Sequence, residues 1–119
     1  MQGLIIIAHG SRREASNQEV AALAKKVTEE ETCSFKKVDF AFLELAKPTL
    51  SESIAEQYNA GIRHITIFPY FLNSGVHMQK DIPALIEQAK KDYPECEFKL
   101  TECIGMYNDM PKLILDCIK

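Results

Sequence analysis

Leu4 to Arg13 reads LIIIAHGSRR. Four apolar residues run without a polar break, three of them β-branched isoleucines, and the chain then turns abruptly at Ala8-His9-Gly10-Ser11. A short, wholly apolar run is the pattern of a strand buried on both faces, the usual state of a parallel sheet. Gly10 and Ser11 suit a tight turn from strand into helix. His9 is therefore expected at the C-terminal end of the first strand, and in open α/β sheets that edge is where ligands bind. A single histidine at a strand end is more often structural than chemical. The question is whether other strands deliver related residues to the same edge.

Beyond this stretch the pattern repeats. Val20, Leu23, Ala24 and Val27 recur at helical spacing after Arg13, in a helix running to about Glu31. Val38 to Leu45, VDFAFLEL, is the second expected strand, with Glu44 near its C-terminal end. Pro48 suits the first turn of a helix carrying Leu50, Ile54 and Tyr58, with Gly61 placed as its C-cap. Arg63 to Pro69 is the third strand, and Pro69 ends regular pairing because it has no N–H to donate. A loop from Tyr70 to Lys80 follows, then a helix for which Asp81 is the expected N-cap, with Pro83 in its first turn. Glu97 to Ile104 alternates as an edge strand does, and Met110 to Ile118 makes a last helix. This is β-α repeated across a single domain, residues 1–119. It predicts an α/β, flavodoxin-like fold with a four-stranded parallel sheet flanked by helices, right-handed crossovers and strand order 2-1-3-4.

Composition narrows the function classes. With 119 residues the chain buries its surface thinly, so self-association is expected. A net charge of -3 argues against nucleic-acid binding through bulk electrostatics. No apolar stretch approaches membrane-spanning length, and no signal-peptide pattern precedes the first strand, so a cytoplasmic protein is the expectation. Cys33, Cys96, Cys103 and Cys117 form no C-x-x-C pair and read as reduced thiols.

One edge of the expected sheet gathers candidates. The first strand supplies His9, Ser11 and Arg12, the second Glu44, and the loop after the third Asn73, Ser74, Gly75 and His77. Neighbouring first and third strands would let His9 and His77 approach one another. Two imidazoles with a carboxylate nearby suit a divalent first-row metal and leave coordination positions open. His64 starts the third strand, at the opposite edge, and is set aside. Tyr70 and Phe71 are candidates for either a pocket wall or core packing. Glu44 is equally suited to being held by backbone donors or by Lys47. A phosphate site is not indicated: Ala8 stands where the R-H-G of histidine phosphatases needs arginine, and there is no G-x-x-x-x-G-K or G-x-G-x-x-G.

The segments AHGSR at 8–12, FLELAKPTL at 42–50, FPYFLNSGVHMQKDIP at 68–83 and CIGMYNDMP at 103–111 resemble the short sirohydrochlorin chelatases of the CbiX type. The resemblance spans nearly the whole chain in the right order. It implies the class II chelatase fold, in which a short chain corresponds to one half of the longer members and forms a homodimer. It also implies insertion of a divalent metal into sirohydrochlorin, without ATP and without a cofactor beyond the substrate metal. Cobalt insertion, toward cobalamin, is the first expectation. Iron for sirohaem and nickel for coenzyme F430 are the alternatives, and the absence of a histidine-rich stretch weakens nickel. The resemblance places metal handling and catalysis at His9 and His77, with Glu44 in the motif of the second strand.

On this reading Ser11, Arg12, Asn73, Ser74 and Gly75 meet the macrocycle, and Arg12, Arg13, Lys47 and Lys80 are candidates to hold its carboxylates. One histidine or Glu44 accepts a pyrrole proton as the metal enters. Insertion should slow as imidazole protonates at acid pH. Two other readings remain open from sequence: a non-catalytic metal or tetrapyrrole carrier using the same edge, and a structural domain with incidental histidines.

Overall fold

Leu4, Ile5, Ile6 and Ile7 are all buried, as a strand covered on both faces requires. The structure, a computed structural model, describes the backbone of residues 1–119 and every side chain except those of His77 and Met78. The isoleucine run lies in β1 (Gln2–Ala8), followed by α1 (Glu14–Glu29), β2 (Lys37–Phe42), α2 (Leu50–Asn59) and β3 (His64–Pro69). A π turn (His77–Asp81) leads directly into α3 (Ile82–Asp92), then come β4 (Glu97–Leu100), a 3-10 turn (Ile104–Met106) and α4 (Met110–Cys117). The four strands are parallel in the order β2-β1-β3-β4, as the sequence predicts, with Leu4 paired between Val38 and Thr66.

Side-chain alternation divides the core in two. Ile5 and Ile7 of β1 and Ile65 and Ile67 of β3 pack with Ile54 of α2 and Ile82 and Ile86 of α3. Burying each such side chain contributes roughly 1.5–3 kcal/mol. On the other face Leu4 and Ile6 pack with Ala24 and Val27 of α1. In β4, Phe98 and Leu100 face the first cluster while Glu97 and Lys99 are exposed, the one-sided pattern expected of an edge strand.

Several boundaries differ from the expectation. β2 stops at Phe42, because Leu45 has φ +67 and the chain must leave the sheet. β4 stops at Leu100 rather than Ile104. Pro48 precedes its helix instead of opening it: the cap is Thr49, whose side chain accepts from the Glu52 N–H while Glu52 accepts from the Thr49 N–H. Asp81 is not an N-cap; its backbone is already helical and its side chain caps nothing, since the π turn continues into α3. Gly61, with φ +93, supplies the left-handed residue just past Ala60, the C-cap of α2. Among the described residues no helix is long and apolar enough to cross a membrane.

Candidate functional site

The pairing of β1 with its neighbours continues past the strand ends, and this builds the site. The Leu43 N–H donates to the Ala8 carbonyl at 2.9 Å and the Glu44 N–H to the His9 carbonyl at 3.0 Å. The Phe42 N–H then bonds the Pro48 carbonyl at 2.8 Å, so residues 43–47 form a closed loop beside the end of β1. Gly10 permits the approach. Its φ is +99, and a Cβ there would sit 1.8 Å from the Glu44 carbonyl oxygen. The result is a contact of 2.7 Å between His9 Nε2 and Glu44 Oε2, with both side chains about half exposed.

Ser11 and Asn17 shape the turn into α1. Asn17 is buried; its Oδ1 accepts the Ser11 N–H at 3.0 Å and its Nδ2 donates to the Ser11 carbonyl at 2.8 Å. Ser11 Oγ accepts the Arg13 N–H at 3.0 Å, so this hydroxyl is already engaged in the turn. Arg12 and Arg13 are exposed beside it. After β3, the Tyr70 N–H bonds the Ile7 carbonyl at 2.8 Å, which carries the loop along β1. Asn73, Ser74 and Gly75 are exposed at the same edge. His77 opens the π turn, but its side chain lies outside the described residues, so its approach to His9 is not part of this geometry. Among the described residues no three of His, Cys, Asp and Glu gather to hold a metal ion. The His9–Glu44 pair supplies two donors.

The other candidates separate. Lys47 pairs with Glu52 at 3.7 Å rather than with Glu44. Phe71 packs against the core, whereas Tyr70 lines a cavity of about 890 Å³ on the α1 face of the sheet. That cavity is not the His9–Glu44 site. His64 stands at the opposite edge, its Nδ1 3.1 Å from Glu97 Oε2.

Sequence reasoning gave three further residues no role at the site, although it read Asp81 as an N-cap and Gly105 as a turn. Asn17 falls on the buried stripe of α1 with Val20 and Ala24, and a polar residue on that stripe was the available signal. Asp81 shares a depression of about 400 Å³ with Glu44, Leu43, Ala84 and Leu85. Gly105 anchors the loop after β3: its N–H bonds the Phe71 carbonyl at 3.0 Å, and a Cβ would lie 1.7 Å from the Leu72 carbonyl oxygen.

The profile of the CbiX family matches residues 3–119. The chain is 31% identical to the chloroplastic sirohydrochlorin ferrochelatase of Arabidopsis thaliana over 116 residues, 98% of this chain and 49% of that protein. It is 36% identical to the sirohydrochlorin cobaltochelatase of Methanopyrus kandleri over 86 residues, 72% of this chain and 59% of that one. It therefore spans about half to three-fifths of the length of these curated relatives. Among solved structures, a CbiX protein from Marinobacter aquaeolei superposes with a TM-score of 0.85 at 29% identity, covering 99% of this chain and 94% of that one. The sirohydrochlorin chelatase SirB from Bacillus subtilis subspecies spizizenii, solved in complex with cobalt, gives 0.85 at 28% identity, covering 98% and 49%.

Proposed function

This chain belongs to the CbiX family, and from that premise we propose that it inserts a divalent metal into sirohydrochlorin, with His9 and Glu44 at the point of metal delivery. The observation that carries the proposal is the 2.7 Å His9–Glu44 contact at the C-terminal edge of the sheet. An imidazole and a carboxylate bind first-row divalent metals, and two half-exposed donors hold such an ion without enclosing it. An open site can release its ion, which a chelatase must do.

Sirohydrochlorin is a flat macrocycle fringed with carboxylates. On this reading it lies over the strand ends, with Arg12 and Arg13 toward its carboxylates and with Ser11, Asn73, Ser74 and Gly75 along its rim. His77 completes the metal-handling set. Two pyrrole N–H protons leave as the metal bonds the nitrogens, so charge balances: one divalent cation replaces two protons. Glu44, already hydrogen-bonded to His9, accepts one of these protons and solvent water takes the other, and general-base assistance of this kind is worth about 10²–10⁴ in rate. The reading needs no cofactor beyond the substrate metal.

Cobalt is the proposed metal, supported by the Methanopyrus relative named a cobaltochelatase and by the cobalt complex of SirB. Iron is the second reading, supported by the Arabidopsis ferrochelatase, whose match covers 98% of this chain. Two copies of the chain act together in this proposal. Its setting is the cytoplasm, where the four free cysteines stay reduced.

The test is anaerobic absorbance of sirohydrochlorin with Co²⁺ or Fe²⁺, with and without protein, beside His9→Ala and His77→Ala. Faster conversion that is lost in both folded variants supports the chelatase, and the rates rank the metals. Spectral shifts on binding with no rate above the uncatalysed control leave only a carrier.

A further inference from the structure

Among the described residues Leu45 is the one non-glycine residue with a positive φ, at +67. A leucine rarely adopts this left-handed region, because its Cβ crowds the carbonyl that follows. Its side chain is also 54% exposed. Single exposed leucines are common on protein surfaces. An exposed leucine on a left-handed backbone is not, because glycine would relieve the strain and asparagine would suit both the backbone and water. Folding gives no reason for a leucine here, and an outlier of this kind points to function.

A second exposed leucine stands on the other side of β1. That strand lies between β2 and β3, so the loop carrying Leu45 follows one neighbour and the loop carrying Leu72 follows the other. Leu72 is 70% exposed. Neither hangs from a slack loop. Leu45 is bracketed by the bond from the Glu44 N–H to the His9 carbonyl and by the bond from the Phe42 N–H to the Pro48 carbonyl. Beside Leu72, the Phe71 carbonyl accepts the Gly105 N–H at 3.0 Å, and no side chain fits between Gly105 and the Leu72 carbonyl. Both backbones are held while both side chains stay uncovered. His9, at the end of β1, lies between the two loops.

The occupant that matches this edge is the macrocycle. The two neighbours of β1 are two strand spacings apart, roughly 10 Å, a span comparable with a tetrapyrrole core. The faces of such a ring are apolar, and only its fringe is charged. The edge has the same arrangement: the leucines flank His9 and Glu44, and the cations of Arg12 and Arg13 are exposed beside them.

We propose that Leu45 and Leu72 form an apolar seat for the face of sirohydrochlorin and hold the ring over His9 and Glu44. This rests on the chelatase reading above and adds to it the residues that position the ring. The left-handed backbone is what it costs to present an apolar side chain at the turn directly after Glu44. The seat acts on the ring and not on the metal. Affinity for the macrocycle therefore depends on the two leucines, and affinity for the ion on His9 and Glu44.

The test is titration of metal-free sirohydrochlorin into the full chain, followed by absorbance, beside Leu45→Gly, Leu45→Asn, Leu45→Met and Leu72→Asn. Glycine and asparagine both suit the left-handed backbone, so the fold should survive, with far-UV circular dichroism as the control. Each of the three variants that remove an apolar side chain should bind the ring about 3- to 10-fold more weakly, the worth of covering the exposed half of a leucine. Leu45→Met, which keeps an apolar side chain, should bind nearly as the parent does. Co²⁺ affinity, read by equilibrium dialysis without the ring, should be the same in all of them. The proposal is overturned by a Leu45→Gly or Leu45→Asn chain that binds the ring as tightly as the parent, or by a loss of Co²⁺ affinity that matches the loss of ring affinity. A changed sedimentation coefficient in these variants would also overturn it, because the leucines would then cover a protein surface. A parent chain that binds no sirohydrochlorin overturns both the seat and the chelatase. A parent that binds the ring but inserts no metal overturns the chelatase alone, and the expected losses at Leu45 would still support the seat.

Discussion

His9 Nε2 and Glu44 Oε2 lie 2.7 Å apart, although the two residues are 35 positions apart in the chain. The contact depends on backbone bonds from Leu43 and Glu44 to Ala8 and His9, which prolong the β1–β2 pairing beyond the regular strands. A metal bound tetrahedrally to both donors at about 2.1 Å would set them roughly 3.4 Å apart. Entry of the ion therefore needs the pair to part by less than about an ångström, within the freedom of half-exposed side chains.

Glu44→Gln keeps the shape and removes the charge and the basicity. Metal insertion should fall about 10²- to 10⁴-fold, the worth of a general base removed from the reaction. The fold should be intact, because the residue is exposed. Steady-state insertion rates beside thermal melting check this. An unchanged rate would place Glu44 outside the chemistry.

Gly10→Ala addresses the backbone that makes the contact. The added methyl would lie 1.8 Å from the Glu44 carbonyl at a residue with φ +99. Strain at such a site costs of order 1–3 kcal/mol, and relief requires the 43–47 loop to withdraw from β1. Lower thermal stability and a loss of insertion at least as large as that of Glu44→Gln are expected. A variant with the melting temperature and activity of the parent would show that the close approach is dispensable.

Much of this architecture is legible in the residues themselves. The Leu4–Ile7 run specifies a central strand because nothing in it tolerates water, and the recurring β-α pattern then leaves few topologies. The edge carrying His9, Glu44 and the 73–75 loop follows from strand direction. What the residues hide is backbone geometry. Glu44 reads as the end of a strand, yet it is held beside His9 by its own N–H bonding the His9 carbonyl, and the chain turns away only at Leu45, with φ +67. Asp81 has the residue type of an N-cap, but the π turn before it leaves no helix start to cap. Asn17 is polar on a buried stripe, and its partner, the Ser11 backbone, is named by no pattern of residue types.

Asn17→Leu tests that last relationship. It leaves the Ser11 N–H and carbonyl without their partner in a part-buried turn. An unmet buried polar group costs about 1–3 kcal/mol. The turn also aims Arg12 and Arg13, so weaker sirohydrochlorin binding should accompany the loss of stability. Urea unfolding and substrate titration measure the two effects separately. Full stability would mean that water replaces the amide at no cost.

The capping box of α2 gives the chain a pH-dependent increment of stability. The Thr49 N–H, donating to Glu52 Oε1 at 2.9 Å, is the main cause that holds the Glu52 carboxyl below its ordinary pKa, with Lys47 adding to it. A carboxyl with a lowered pKa in the folded state contributes stability that is fully present above its unfolded pKa and lost as pH falls through the folded one. Urea unfolding of the parent and of Glu52→Gln should therefore differ near neutrality and converge in acid, below the ordinary carboxylate range. Thr49→Ala removes the reciprocal bond to the Glu52 N–H and should cost about 1 kcal/mol at both pH values, the usual loss for an N-cap threonine. A Glu52→Gln difference that stays constant across pH would mean that the residue acts through shape and helix propensity, not through its charge.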